Sequence, residues 1–185
     1  AEALNGPGIT IKDNERYIAD TANAQGWVME MGKPAARTGI KIAVVGSGPA
    51  GLAAAWRLNQ LGHSVTVFEK SDRFGGLLMY GIPNMKLDKA LVEQRIDIMK
   101  SLGVEFVAQA EIGKTISFES LKSDYSRVII ATGAGIPRDL KVEGREASGI
   151  EFAVDFLTQT TKTLLDAKAT TLEKTLEGKH VIVIG

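Results

Sequence analysis

The feature that most constrains this chain is a glycine-rich segment, residues 46–51 with the sequence Gly-Ser-Gly-Pro-Ala-Gly, that directly follows an apolar run. The run, residues 42–45, reads Ile-Ala-Val-Val and is typical of a central parallel strand that is covered on both faces. Residues 50–61 are rich in Ala and Leu and precede Gly62, as a helix with a glycine C-cap does. A strand, a G-x-G-x-x-G turn and a helix in this order predict a Rossmann-type dinucleotide-binding unit that opens at Lys41.

Each glycine of the motif has a physical role in such a turn. Gly46 permits the sharp change of direction, Gly48 lets the backbone approach a pyrophosphate, and Gly51 allows the helix to pack closely on the strand. The free amides at the start of the helix then face the phosphates, and the helix dipole favours their negative charge.

An acidic residue follows at the position that this fold uses to bind ribose. Residues 64–68 predict a second strand, and Glu69 comes directly after it, close to the ~20-residue separation expected from the motif. A carboxylate there accepts hydrogen bonds from ribose hydroxyls and repels a 2′-phosphate. The first site is therefore not expected to hold NADP.

The remaining pattern predicts an α/β protein with a Rossmann-like parallel sheet and helices. Residues 1–38 are interpreted as an N-terminal arm with one helix, and residues 39–148 as the first part of the dinucleotide-binding domain. Residues 149–185 are interpreted as a connecting helix followed by the first strand of a second nucleotide-binding domain, because residues 179–185 repeat the pattern of residues 41–46. On this interpretation the sequence looks cut at Gly185. The alternative is that residues 181–184 form a final strand of the first sheet.

Composition excludes several classes of function. The 22 basic residues balance the 22 acidic ones, so neither nucleic acid nor an anionic membrane is an expected partner. The absence of cysteine excludes a disulfide framework, a thiolate metal site, an iron–sulfur cluster and a redox dithiol within these residues. No apolar run approaches the ~20 residues that a bilayer requires, which favours a soluble intracellular protein, cytoplasmic or organellar. Structural roles are expected for the two histidines, and no catalytic side chain is nominated.

Three stretches together resemble a known family: residues 44–55, residues 68–70 with residues 75–83, and residues 131–134. They are similar to the two-dinucleotide-binding flavoproteins, and within these to the small (β) subunit of glutamate synthase or the equivalent fused region. The most specific stretch is residues 76–88, Gly-Leu-Leu-Met-Tyr-Gly-Ile-Pro-Asn-Met-Lys-Leu-Asp. Supporting matches lie in residues 9–12, 15–16, 137–140, 143–145 and 155–158.

The resemblance implies a set of FAD-binding residues. The adenosine and the pyrophosphate would contact the first glycine loop, the acid that follows the second strand, and residues of the next loop. Lys86 would lie near the flavin, and Ile112 would contact adenine through its backbone. The turn after the fourth strand would also contact the cofactor. The full set is Gly46, Ser47, Gly48, Pro49, Ala50, Gly51, Glu69, Lys70, Arg73, Gly76, Leu77, Lys86, Ile112, Thr132 and Gly133.

The function implied by the resemblance is hydride transfer from NADPH or NADH to FAD, followed by electron passage through iron–sulfur clusters. The electrons would reach the large (α) subunit of glutamate synthase, or a fused catalytic region, where glutamate is formed. The nicotinamide site and the cluster cysteines would lie mostly or wholly outside these 185 residues. Alternatives are the electron-input region of a dihydropyrimidine dehydrogenase-like or ferredoxin–NADP reductase-like flavoprotein, a simple NAD dehydrogenase, and a non-catalytic nucleotide-binding module.

Overall fold

The computed structural model describes residues 10–166 and 176–184. Within these ranges the chain alternates short strands with helices, as the sequence pattern predicts. The elements in chain order are α1 (Ile11–Ala24), α2 (Trp27–Gly32), β1 (Lys41–Val45), α3 (Pro49–Gln60), β2 (Ser64–Phe68), α4 (Leu77–Tyr80), α5 (Lys89–Ser101), β3 (Glu105–Val107), α6 (Phe118–Asp124), β4 (Arg127–Ile130) and α7 (Ala153–Leu165).

The four strands form one parallel sheet in the order β3-β2-β1-β4. The chain therefore builds outward from β1 to β3 and then crosses back to place β4 on the other side of β1, where it forms an edge of the sheet. The apolar run in β1 is buried as expected, with Ala43 and Val44 fully inaccessible to solvent. The predicted α/β class and the parallel sheet are confirmed. In such a sheet the ligand crevice lies outside the carboxyl ends of the strands, at the point where the strand order reverses.

The two faces of the sheet are covered by separate apolar clusters. On one face, α3, α4 and α5 contribute side chains such as Leu52, Met79 and Ile96 to a core around Val44. On the other face, Phe68 packs with Leu121 of α6 in a smaller cluster that also contains Ala43 and Ala110. A strand that is covered on both faces must be apolar on both, which is why β1 and β2 show no alternating pattern.

Local capping signals place the helix ends as the sequence predicts. The Asp88 carboxylate accepts a hydrogen bond from the amide of Ala90 at 3.0 Å, which begins α5. Past the ends of α3 and α5, Gly62 and Gly103 adopt φ values of +89° and +94°, a conformation that glycine adopts without steric cost. Helix α4 was not expected from the sequence, because a four-residue helix after two glycines carries no periodic signal.

The N-terminal helices attach to the sheet domain through Gly32 of α2, which is buried against the Trp56 and Leu102 side chains, and through a short polar connection. Helix α1 has no buried residue, whereas Arg37 donates to the Asn59 side chain and to the carbonyl of His63, each at 2.8 Å. The His63 ring shares a 2.8 Å hydrogen bond with the hydroxyl of Thr38. His63 therefore contributes to the attachment of the N-terminal segment, in agreement with the structural role expected for it.

Residues 181–184 are apolar, yet they pair with no strand in the described part of the chain, and Ile182 and Val183 are highly exposed. Within the described residues they do not join the four-stranded sheet, so the alternative that they complete it has no support there. Their assignment to a second nucleotide-binding domain stays a prediction. None of the described helices is both long enough and apolar enough to cross a lipid bilayer.

Candidate nucleotide-binding site

The first glycine loop lies at the carboxyl end of β1, and its backbone is fixed by contacts that only glycine permits. Gly46 has φ +103°, and its amide donates to the carbonyl of Phe68 at 2.8 Å. A Cβ on Gly46 would collide with the carbonyl oxygen of Ala131 at the end of β4, and a Cβ on Gly51 would collide with the carbonyl oxygen of Gly46. The tight turn and the close packing of α3 on β1 are thus present as expected.

Gly48 differs from the other two glycines of the motif, because no protein atom lies within 4 Å of the position a Cβ would take. Its φ of −64° and ψ of 177° suit any residue. The backbone at Gly48 therefore faces open space, and the missing side chain leaves room for another molecule.

The start of α3 presents unpaired hydrogen-bond donors beside this space. Pro49 occupies the first helical position, where its missing N–H is not needed. The amides of Gly48, Ala50 and Gly51 donate to no other residue of the described chain. Unpaired amides at the positive end of a helix dipole form a site that favours anions.

The second glycine loop packs directly against the first. Gly76 has φ +55° and ψ −123°, and a Cβ there would lie 2.9 Å from the Cα of Gly48. The Gly76 amide also has no acceptor among the described residues. Leu77, the first residue of α4, follows Gly76 and is 57% exposed. The two loops therefore place a fourth unpaired amide next to the start of α3.

Glu69 lies beside the first glycine loop and is 6% exposed. One carboxylate oxygen, Oε2, accepts hydrogen bonds from the amide of Ser47 at 3.0 Å and from its hydroxyl at 2.5 Å. The other, Oε1, accepts from the amide of Ser71 at 2.9 Å. Burial raises the pKa of Glu69, but the hydrogen bonds from Ser47 and Ser71 outweigh burial, and the net pKa is below its ordinary value. Glu69 is therefore an anion near neutral pH and can only accept hydrogen bonds.

Three further predicted residues lie at the same edge of the sheet, Ile112 beside β2 and Thr132 and Gly133 after β4. The amide of Ala110 donates to the carbonyl of Glu69 at 2.8 Å, which holds the segment containing Ile112 close to the end of β2. Ile112 then forms a single bridge with Ile116. Thr132 and Gly133 follow β4 with exposed side chains and backbone, directly after the residue that contacts Gly46.

The predicted basic residues are more dispersed. Lys70 is exposed immediately after Glu69. Lys86 is exposed in a turn in which its amide donates to the carbonyl of Pro83 at 2.9 Å. The described contacts do not place either ammonium group against the glycine loops, so their part in the site stays a prediction.

Arg73 is engaged in a group of polar side chains that we call the Arg73 cluster: Asp72, Arg73, Tyr80, Lys162 and Asp166. Its guanidinium contacts Asp72 at 3.0 Å, the Tyr80 hydroxyl at 3.2 Å and Asp166, just after α7, at 2.6 Å. Lys162 of α7 completes the cluster with a 3.1 Å ion pair to Asp72. Burial, reinforced by the hydrogen bond to Asp72, raises the pKa of Tyr80 to about 12. The cluster joins the loop before Gly75 to α7.

Sequence reasoning missed Lys89, which is 2% exposed at the first position of α5. Its ammonium donates to three backbone carbonyls, those of Leu78, Ile82 and Leu87, at 2.9, 2.5 and 3.1 Å. Burial lowers its pKa. The available signal was its position, because a cation in the first turn opposes the helix dipole and needs a compensating contact. Lys89 holds the ends of the loop that carries Lys86.

The arrangement offers two kinds of recognition side by side. Unpaired amides at 48, 50, 51 and 76 suit the oxygens of a phosphate group, and the Glu69 carboxylate suits a molecule that donates hydroxyl protons. A diphosphate joined to a ribose carries both kinds of group at adjacent positions. The geometry therefore fits a dinucleotide at the carboxyl edge of β1 and β2.

Comparisons with known proteins agree with this geometry. The family model described as pyridine nucleotide-disulphide oxidoreductase matches residues 40–185. The chain is 51% identical to glutamate synthase (NADH) of Saccharomyces cerevisiae over 96% of this chain and 8% of that enzyme. It is 50% identical to the glutamate synthase (NADPH) small chain of Bacillus subtilis over 99% of this chain and 37% of that protein.

A solved structure is also similar. FprA of Mycobacterium tuberculosis, determined in complex with NADPH, aligns with a TM-score of 0.59 and 27% identity, covering 66% of this chain and 29% of that one. The chain thus spans well under half the length of each of these relatives.

Proposed function

Because this chain belongs to the pyridine nucleotide-disulphide oxidoreductase family and is homologous over nearly its whole length to glutamate synthase small chains, we propose that it forms the FAD-binding part of an NAD(P)H-dependent oxidoreductase that supplies electrons for glutamate formation. The observation that carries the proposal is the joint placement of four unpaired amides and one buried, ionised carboxylate at the carboxyl edge of the sheet.

The residues present fit the adenosine diphosphate half of FAD. The open space at Gly48 admits a diphosphate, and the amides of Gly48, Ala50 and Gly76 would donate to its oxygens. Glu69 would accept hydrogen bonds from the ribose hydroxyls, and its negative charge would repel a 2′-phosphate. This preference supports FAD rather than NADPH at the first site.

The role of the chain is to bind and orient the cofactor. When bound, FAD supplies the acceptance of a hydride and the release of single electrons. The glycine loops would hold the diphosphate through their amides, and Glu69 would orient the adenosine ribose. We assign the predicted contacts of Arg73, Leu77, Lys86, Ile112, Thr132 and Gly133 to the ribityl, flavin and adenine parts of the same molecule.

The similarity to these relatives supports a proposal for the rest of the electron path. A nicotinamide nucleotide would donate the hydride, and both NADH and NADPH occur in the names of the relatives. The 185 residues contain no cysteine, so they supply neither a disulphide pair nor ligands for iron–sulfur clusters. We therefore propose that electrons leave through clusters held elsewhere and reach a large subunit or a fused glutamate-forming region.

The proposal is tested by titrating FAD into the apo form of the full-length protein and comparing wild type with Gly48→Ala. The new methyl group meets no protein atom, so stability should be unchanged, while FAD affinity should fall about tenfold or more because the methyl occupies the diphosphate space. Gly135→Ala is the matched control, since its Cβ also meets no protein atom and its φ is not positive. It should bind FAD as wild type does.

Other outcomes would decide against the proposal. A wild-type protein that binds NAD and no flavin would support a simple dehydrogenase. A protein that binds neither would support a non-catalytic module.

If flavin binds and either NADH or NADPH bleaches its absorbance anaerobically, glutamate formation with the large subunit then separates this enzyme from dihydropyrimidine dehydrogenase-like and ferredoxin–NADP reductase-like proteins.

A further inference from the structure

We infer that Ser47 is a positioning residue, which acts on the nucleotide through Glu69 and the second glycine loop rather than through direct contact. The inference rests on the proposed function and deepens it. Ser47 is the second residue of the glycine motif. An exposed side chain that contacts the phosphate would be expected at this position, yet the side chain of Ser47 is fully buried.

Both hydrogen-bond donors of Ser47, its amide and its hydroxyl, are used inside the protein. Its amide and its hydroxyl both donate to Oε2 of Glu69, at 3.0 and 2.5 Å. The hydroxyl oxygen also accepts a hydrogen bond from the amide of Gly75 at 2.9 Å. One side chain therefore connects the turn after β1, the acid after β2 and the second glycine loop.

The first consequence concerns the orientation of Glu69. Each carboxylate oxygen accepts about two hydrogen bonds, and Oε2 already accepts two from Ser47. Oε1 accepts the amide of Ser71, and the only further donor to the carboxylate is a weaker hydrogen bond from the Ser71 side chain, whose place a ribose hydroxyl would take. Ser47 thus selects Oε1 as the atom that remains for a ribose hydroxyl, and it prevents rotation of the carboxylate.

The second consequence concerns two adjacent amides. The Ser47 hydroxyl accepts the N–H of Gly75 and leaves the N–H of Gly76 without an acceptor in the described structure. Gly76 packs against Gly48, so its unpaired amide lies beside the start of α3. Ser47 thereby assigns one amide to the protein and the next one to the anion site.

The experiment measures FAD affinity of the full-length protein for wild type and Ser47→Ala. It is repeated with an FAD analogue that lacks the 2′-hydroxyl of the adenosine ribose. Losing a hydrogen bond to a charged group should weaken FAD binding about tenfold or more in Ser47→Ala. If Ser47 acts through Glu69, removal of the ribose hydroxyl should weaken binding to wild type clearly more than binding to the variant.

Ser117→Ala is the matched control, because the Ser117 hydroxyl also holds a backbone amide, that of Ser120 at 3.0 Å, but at the start of α6. It should lose comparable stability and keep wild-type affinity and wild-type discrimination between the two ligands. Should Ser47→Ala fail to fold, Ser47→Cys preserves the side-chain volume and weakens the hydrogen bonds, and the same comparison applies.

Two results would overturn the inference. One is wild-type FAD affinity in the Ser47 variant. The other is equal weakening of FAD and its analogue, which would indicate a purely structural role. Failure of wild type to bind FAD is a distinct result, because it refutes the proposed function together with everything that depends on it.

Discussion

Different forces hold the backbones of two regions, the glycine loops at residues 46–51 and 75–76 and the segment at residues 131–152 that follows β4. In the loops, an added Cβ at Gly46, Gly51 or Gly76 would meet backbone atoms, those of Ala131, Gly46 and Gly48 respectively. In the later segment, a Cβ on Gly133, Gly135, Gly144 or Gly149 would have no atom of the described residues within 4 Å. The loops are fixed by close packing, whereas the segment is held by local contacts such as the ion pair between Arg145 and Asp139.

This difference teaches how the site is prepared for its ligand. The amides and the carboxylate that would bind the diphosphate and the ribose are ordered before the ligand arrives, which reduces the entropic cost of binding. Thr132 and Gly133, the predicted contacts on the other side, belong to a backbone that the described part of the chain leaves open. A nucleotide would thus bind between a closely packed wall and an exposed backbone.

The largest expected effect comes from Gly51→Ala, compared with Gly133→Ala. The methyl group at Gly51 would overlap the carbonyl oxygen of Gly46, so the free energy of unfolding should fall by about 3 kcal/mol or more. At Gly133 the methyl meets no atom, and only the φ of +68° is unfavourable, at a cost of about 1 kcal/mol. Urea denaturation measures both. Equal losses would contradict the contrast between the two regions.

A second test replaces buried Lys89 by methionine, and exposed Lys141 in the open segment by methionine as its control. Lys89→Met leaves the carbonyls of Leu78, Ile82 and Leu87 without their shared donor, so the free energy of unfolding should fall by about 2 kcal/mol. Lys141→Met should change it by less than about 0.5 kcal/mol. Thermal and urea unfolding provide the measurement. An unchanged free energy of unfolding in the Lys89 variant would show that the hydrogen bonds from Lys89 do not stabilise the loop.

Acid should weaken the rigid region through Glu69. Because the folded pKa of Glu69 lies below its ordinary value of 4.5, its contribution to stability is complete above pH 4.5 and is lost as the pH falls through the folded pKa. Wild type should therefore lose stability below pH 4.5 more steeply than Glu69→Gln, which does not titrate. Urea midpoints between pH 3 and 7 test this expectation. Parallel curves for the two proteins would be inconsistent with it.

The smallest expected effect concerns the ion pair that fastens the end of α7 to the loop before Gly75. Asp166→Asn removes a partner of Arg73 whose side chain is 59% exposed, so the loss of stability should be about 0.5 kcal/mol or less. Asp155→Asn, at the other end of the same helix, serves as control. Hydrogen exchange of the α7 amides should accelerate only in the Asp166 variant. Equal exchange in both variants would mean that the Arg73 cluster does not hold the helix.

Local rules were sufficient to predict much of the fold. The turn at Gly46, the packing role of Gly51, the cap at Asp88 and the glycine stops after α3 and α5 each depend on a few adjacent residues. The parallel direction of the strands followed from the strand, turn and helix pattern. The position of Glu69 beside the first loop followed from its place at the end of β2.

The parts that could not be predicted depend on residues far apart in the chain. Nothing in residues 46–51 reveals that Ser47 is buried against Glu69 and Gly75. Likewise, the pairing of Arg73 with Asp166 requires the position of α7 on the fold. Residues 181–184 have strand composition, but pairing depends on a neighbouring strand, which composition does not report.

The edge position of β4 has a practical consequence for handling this polypeptide. The outer side of the strand pairs with no other strand in the described residues, and Ile130 is 66% exposed. Unpaired backbone groups beside an apolar side chain form a template onto which a second copy can add its own edge. We therefore expect these 185 residues in isolation to self-associate as protein concentration rises, and covering that edge to be a precondition for studying them as a monomer.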